Sequence, residues 1–284
     1  MDIASRPSEP VENEKIADAA PPPQAQPVIN REDYRPPNWL VPEVRLSFRL
    51  GIDATHLTSK LSVERNPEGG SDTLRLNGDG IAALCVNVDG KAADGWRMDG
   101  PDLLIDLSGD SHEVEIETAL NPAANSQLMG LYASNGMLCT QCEAEGFRRM
   151  TFFPDRPDVL SIYRVRMEGD KESFPILLSN GNCVAQGEGD AGSHWAEWHD
   201  PWPKPSYLFA LVAGQLVANH STFTTMNGRE VDLNIWVRPG DESRTGHAMD
   251  SLKNAMKWDE ETFGREYDLD LYNIVAVSDF NMGA

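Results

Sequence analysis

The chain has 284 residues and a formal net charge of −21, with 24 Lys and Arg against 45 Asp and Glu. Hydrophobic residues make up 40% and charged residues 24%, as in a folded soluble protein long enough to bury a core without disulfides. The acidic balance argues against nucleic acid and anionic membrane as partners, because both need basic patches that displace counterions.

No run reaches the ~18 apolar residues of a membrane span, and the best one, Tyr207 to Ala218, is broken by Gly214 and Gln215. No basic stretch followed by an apolar core opens the chain, so no secretory signal is read. The four cysteines, Cys85, Cys139, Cys142 and Cys183, are then expected as free thiols in a reducing cytoplasm.

Residues 1–30 are expected to form a disordered arm: they carry six prolines between Pro7 and Pro27 and no aromatic residue. From residue 31 to about 215 the pattern is one of short strands. Val44, Leu46, Phe48 and Leu50 alternate with polar residues, and Val114 and Ile116 alternate with Glu113, Glu115 and Glu117, the period of a half-buried strand. Thr73–Leu76, Ile81–Val88 and Leu103–Leu107 are further strand candidates, followed by Arg164–Met167, Ile176–Leu178, His194–Trp198 and Tyr207–Val212. Turn signals such as Asn77-Gly78-Asp79-Gly80, Asp89-Gly90 and Asn180-Gly181-Asn182 lie between them, which predicts a mainly β, sandwich-like domain.

Residues 216–284 have a different rhythm. Val231, Leu233, Ile235 and Val237 predict a strand, and Ala248 to Tyr267 predicts a helix with Met249, Leu252, Met256 and Phe263 on one face. Leu271–Val277 is an apolar strand that would form an exposed edge if nothing followed it.

None of the six histidines is followed four residues later by another, so no His-Glu-x-x-His zinc pair is present. His194 and His199 flank Glu197 at the wrong spacing and are read as structural. Cys139-Thr140-Gln141-Cys142 is a single CxxC in what reads as a loop after Asn135-Gly136-Met137-Leu138, outside the βαβ setting of a thiol oxidoreductase. The stretch Gln141 to Arg149 sets Glu143 and Glu145 among Tyr132, Phe147, Phe152 and Phe153. A carboxylate in a partly apolar pocket attracts a cation strongly; the competing reading is that both glutamates simply pair with Arg148 and Arg149.

Several ordered stretches carry a resemblance. They include Asn121-Pro122-Ala123-Ala124-Asn125, Cys139-Thr140-Gln141-Cys142-Glu143-Ala144-Glu145-Gly146-Phe147-Arg148, Asp155-Arg156-Pro157-Asp158-Val159, Asp200-Pro201-Trp202-Pro203-Lys204-Pro205, Lys253-Asn254-Ala255-Met256-Lys257-Trp258-Asp259-Glu260 and Asp279-Phe280-Asn281-Met282-Gly283-Ala284. From about Asp33 to the last residue the chain resembles the amino-terminal part of the bacterial aminopeptidase N family, zinc metallo-aminopeptidases of the gluzincin class.

The resemblance implies a β-rich, saddle-like N-terminal domain over residues 31–215. Residues 216–284 would be the incomplete start of a thermolysin-like α+β catalytic domain. It implies substrates that are peptides with a free N-terminus, and a monomer when full length. Gln141 and Glu143 match the loop that binds the substrate's α-ammonium in that family. Gly283 and Ala284 match the start of its exopeptidase motif, and Met282 a residue that shapes the first side-chain pocket. Zinc would be the cofactor of the full-length enzyme. Its ligands and general base would lie downstream, so this piece is expected to bind no metal and to be inactive alone. The alternative is a non-catalytic β-sandwich binding module.

Overall fold

The computed structural model describes residues 30–280. The chain divides into two compact units, Met1–Arg35 and Pro36–Ala284. In the first, the described residues form one 3-10 turn, Arg31–Asp33, and residues 1–29 of the expected arm lie outside the described residues.

The second unit runs, in chain order, through β1 (Trp39–Arg49), β2 (Thr55–Arg65), β3 (Thr73–Leu76), β4 (Ala83–Val88), β5 (Lys91–Ala92), β6 (Trp96–Asp99), β7 (Asp102–Asp106) and β8 (Ser111–Leu120). It continues through β9 (Gly130–Ser134), β10 (Met137–Gln141), β11 (Ser161–Asp170), β12 (Ile176–Ser179), β13 (Asn182–Glu188), β14 (Ser193–Lys204) and β15 (Leu211–Gly214). The last elements are β16 (Val217–Thr224), β17 (Glu230–Val237), α1 (Gly246–Phe263) and β18 (Leu271–Val275). Strand makes up 49% and helix 14% of the described residues, so the mainly β expectation holds.

The largest sheet has the order β13-β14-β11-β1-β2-β8-β4-β5, and a four-stranded sheet has the order β12-β15-β10-β9. Two three-stranded sheets, β3-β7-β6 and β16-β17-β18, complete the set. The alternating runs fold as the pattern demands: Val44, Leu46 and Phe48 of β1 and Val114 and Ile116 of β8 are buried, while Arg45, Ser47 and Arg49 face solvent. Each buried Leu or Phe of this kind stabilises the fold by roughly 1.5–3 kcal/mol. Strand β2 escaped the period-two reading because its buried face carries Thr55 and Ser59. Both are satisfied, Thr55 Oγ1 donating to the Gly51 carbonyl at 2.8 Å and Ser59 Oγ lying 2.7 Å from Thr151 Oγ1.

The expected strand Tyr207–Val212 is corrected. Ser206–Leu208 is a 3-10 turn and pairing starts only at Leu211. Asn180 intercepts the backbone there, accepting from Ala210 N at 2.7 Å and donating to the Leu208 carbonyl at 3.1 Å.

Residues 216 onward build a second core. Val231, Leu233, Ile235 and Val237 of β17 pack with Met249, Leu252 and Met256 of α1. The helix stops earlier than expected because Gly264 takes a left-handed conformation with φ 62°. Phe263 departs from the predicted face: it is 62% exposed, and its ring meets Trp258 edge-on at 5.2 Å. Strands β17 and β18 are parallel, joined by α1, which is the α/β unit read from the sequence. As a sheet-edge strand β18 is not bare: Leu271 and Val275 pack on the first core, and Tyr272 and Ile274 on the second.

Candidate amine-binding site

Residues 135–138, read as a loop, are instead the turn and start of a hairpin. Asn135 and Gly136 both have positive φ, 49° and 81°, the two-residue turn that matches the twist of the flanking strands. Across the hairpin Met137 faces Ser134, Cys139 faces Tyr132 and Gln141 faces Gly130. Directly opposed residues share one side of a sheet. Tyr132, Ser134, Cys139 and Gln141 therefore lie on one side, with Gln141 buried at its end.

The chain turns back immediately after Gln141. Gly146 N donates to the Cys142 carbonyl at 2.8 Å, and the 3-10 helix Phe147–Arg149 follows. Gly146 is obligatory here: a Cβ would stand 2.3 Å from the Gln141 carbonyl oxygen and 2.9 Å from Cys142 Cα. The tip, Glu143 to Glu145, is exposed, and the Glu143 backbone N–H donates to Gln141 Oε1 at 3.1 Å. Tyr132, Phe147, Phe152 and Phe153 are fully buried. Phe147 packs edge-on against Phe153, Tyr163 and Phe209 at 5.0, 6.1 and 5.4 Å.

The competing charge pairing is resolved residue by residue. Arg148 holds Asp155 at 3.0 Å and Glu145 at 3.1 Å. Arg149 pairs with Asp79. Among the described residues the Glu143 carboxylate has no ion-pair or hydrogen-bond partner.

A distant segment closes on the same side of the hairpin. Tyr132 Oη donates to the Asp279 carbonyl at 2.7 Å, and Ser134 Oγ donates to Asp279 Oδ2 at 2.6 Å. Asp279 thus sits on the side that carries Gln141. The other candidate residues, Met282, Gly283 and Ala284, follow it in sequence and lie outside the described residues.

Both thiols of the CxxC are buried and free. Burial pushes Cys139 up to about 11 and Cys142 well above the ordinary thiol range. Neutral, buried thiols are poor nucleophiles, which speaks against the redox reading. His194 donates to the Phe174 carbonyl at 2.6 Å from within β14, a structural role. Among the described residues no three His, Cys, Asp or Glu side chains converge to hold a metal ion. Asp155 and Asp79 were not singled out as site residues. No local spacing marks them, since Asp155 meets Asn77 and Ser206, and Asp79 meets Arg149.

Residues 84–208 match the Peptidase M1 N-terminal domain. The matched span is less than half of the chain. It encloses the whole hairpin and the Gln141–Arg149 loop, while β1 to β3 precede the matched span and Asp279 follows it. Similarity to known proteins extends over most of the chain. Aminopeptidase N of Caulobacter vibrioides is 53% identical over 258 residues, covering 90% of this chain and 30% of that protein. Aminopeptidase N of Escherichia coli is 48% identical over 255 residues, covering 89% and 29%. The chain thus spans about 30% of the length of these relatives.

Among solved structures, aminopeptidase A of Legionella pneumophila in complex with aspartic acid superposes with a TM-score of 0.84 at 31% identity, covering 89% of this chain and 30% of that one. An M1 zinc metallopeptidase variant from Deinococcus radiodurans, bound to a Tyr-Ser-Ala substrate, gives 0.70 at 16% identity over 84% of this chain and 56% of that one, a likeness of fold alone. The resemblance to bacterial aminopeptidase N read from the motifs therefore holds.

Proposed function

We propose that this chain supplies part of the substrate site of a zinc-dependent aminopeptidase, an enzyme that removes N-terminal amino acids from peptides. The observation that carries the reading is the unpaired carboxylate of Glu143, beside two guanidinium groups that are both engaged elsewhere. A free peptide N-terminus brings an ammonium group that internal peptide bonds lack. Its N–H groups would donate to the Glu143 carboxylate and to Gln141 Oε1. That amide oxygen also accepts the Glu143 N–H at 3.1 Å, which ties the two side chains of the proposed pair to one loop. Charge-assisted hydrogen bonds of this kind are roughly twice as strong as neutral ones and fix one end of the substrate. Met282, Gly283 and Ala284 complete the proposed peptide contacts.

In this reading residues 31–215 form the N-terminal domain and residues 216–284 begin the catalytic domain. The separate core of β17 and α1 supports that division. Among the described residues no set of side chains fits a zinc ion, and the proposed role of this chain is confined to holding the peptide's amino end. The chain alone is proposed to hydrolyse no aminoacyl-anilide, with or without added zinc. Among the described residues no helix is long and apolar enough to cross a membrane. The proposed enzyme works as a monomer in the cytoplasm, where its four free cysteines stay reduced.

The test is a calorimetric titration of the chain with trialanine and with its N-acetylated form. Tighter binding of the free-amine peptide, lost in Glu143→Gln, supports the proposal. Equal binding of both peptides overturns it.

A further inference from the structure

Asp155 is the most heavily engaged acid near the loop, and its side chain is 1% exposed. Its Oδ2 accepts from both Arg148 N at 3.1 Å and Arg148 Nε at 3.0 Å, and its carbonyl accepts from Arg148 Nη2 at 2.8 Å. Its Oδ1 accepts from Ser206 Oγ, and its own N–H donates to Asn77 Oδ1 at 3.2 Å. The carbonyl of Arg148 is taken in turn by Asp79 N at 3.0 Å, and the carboxylate of Asp79 holds Arg149. The 3-10 helix after the loop is therefore clamped by two aspartates, Asp155 just after it and Asp79 from seventy residues earlier in the chain. One consequence is mechanical: the return of the loop is fixed. The other is electrostatic: the guanidinium nearest the tip, which already touches Glu145, is drawn down into the protein.

We propose that Asp155 is a positioning residue that keeps Arg148 away from Glu143, so that the Glu143 carboxylate stays available to a peptide's ammonium group. The inference rests on the amine-binding reading for its functional meaning and on geometry for its physical content. A guanidinium freed from Asp155 has a bare carboxylate five residues away in sequence and would neutralise it. A group that merely stabilised the fold would not produce that competition.

The closing experiment has two readouts in the full 284-residue chain. The first is the Arg148 side-chain Nε–H signal in nitrogen-15 NMR spectra. In the parent chain it is expected not to respond to Glu143→Gln; in Asp155→Asn it responds, because the two side chains then meet. No response in Asp155→Asn overturns the proposal, whatever happens with peptides.

The second readout is trialanine binding. Asp155→Asn is expected to weaken it roughly tenfold, the scale of one charge-assisted contact, and Asp155→Asn with Arg148→Met is expected to restore most of the loss. A double variant as weak as Asp155→Asn overturns the proposal. If the parent chain shows no preference for the free amine, the functional reading fails alone and the NMR comparison still decides the role of Asp155. Thermal melting of each variant identifies any that fails to fold; Asp155→Ser, which is smaller and neutral, then replaces Asp155→Asn in both readouts.

Discussion

The hydroxyl of Ser134 donates to the carboxylate of Asp279 at 2.6 Å, joining a hairpin inside the span that matches the M1 N-terminal domain to a segment 145 residues later. The neighbouring Tyr132 hydroxyl donates to the Asp279 carbonyl at 2.7 Å, so a single residue is held through its backbone and its side chain. This is how the stretch leading to Met282 is brought to the side of the sheet that carries Gln141. Ser134→Ala with Tyr132→Phe is expected to lower stability by about 2 kcal/mol, near the sum of two hydrogen bonds. In hydrogen exchange the Ala276 amide, which donates to the Trp236 carbonyl at 2.9 Å, should lose protection before the amides of β1 and β8.

Gly146 tests how tight the loop return is. Gly146→Ala places a methyl group against the Gln141 carbonyl and the Cys142 backbone, atoms that cannot rotate away. A loss of roughly 1–3 kcal/mol is expected, read as a lower urea midpoint, together with weaker trialanine binding. An unchanged midpoint would mean that the loop is looser than described.

The buried thiols give a pH dependence with a definite sign. Burial raises Cys139 from its ordinary 9.0 to about 11. The folded state therefore holds the proton more tightly than the unfolded state does. Its contribution to stability is complete below pH 9 and is lost as the pH rises to about 11. Denaturant midpoints should fall across that window, and Cys139→Ala should flatten the fall. With a thiol reagent at pH 8, the exposed Cys183 should react before Cys139 and Cys142.

Lys204 and Asp200 form an ion pair at 2.5 Å with side chains 11% and 10% exposed, and the ammonium group also sits 4.6 Å from the centre of the Tyr163 ring. Removing one partner strands the other charge in a poorly solvated site. Asp200→Ala should cost ~3–5 kcal/mol, measured by chemical denaturation. A double variant, Asp200→Leu with Lys204→Met, should recover much of that loss.

The helix α1 offers an internal control on the packing argument. Met256→Ala opens the core beneath β17 and should cost about 2–5 kcal/mol. Phe263→Ala, on an exposed ring, should stay within ~0.5 kcal/mol. Both are read as shifts in the melting temperature.

The order of residues alone marks the strands whose buried face is uniformly apolar, such as β1 and β17, because period-two alternation follows directly from pleat geometry. It also determined the βαβ unit at residues 230–275 and the motif resemblance that pointed to Gln141 and Glu143. It did not reveal β2, whose buried Thr55 and Ser59 break the alternation, nor where helix α1 parts from the core before Phe263. Only the tertiary structure decided which acids are free. Glu143 and Glu145 look alike in sequence, yet Glu145 meets Arg148 and Glu143 meets no described cation. The difference is made by Asp155, which holds Arg148 from seven residues away, and by Asp79, which holds Arg149 from seventy residues away. Charge neutralisation depends on distance through space, which side-chain order along a chain does not encode.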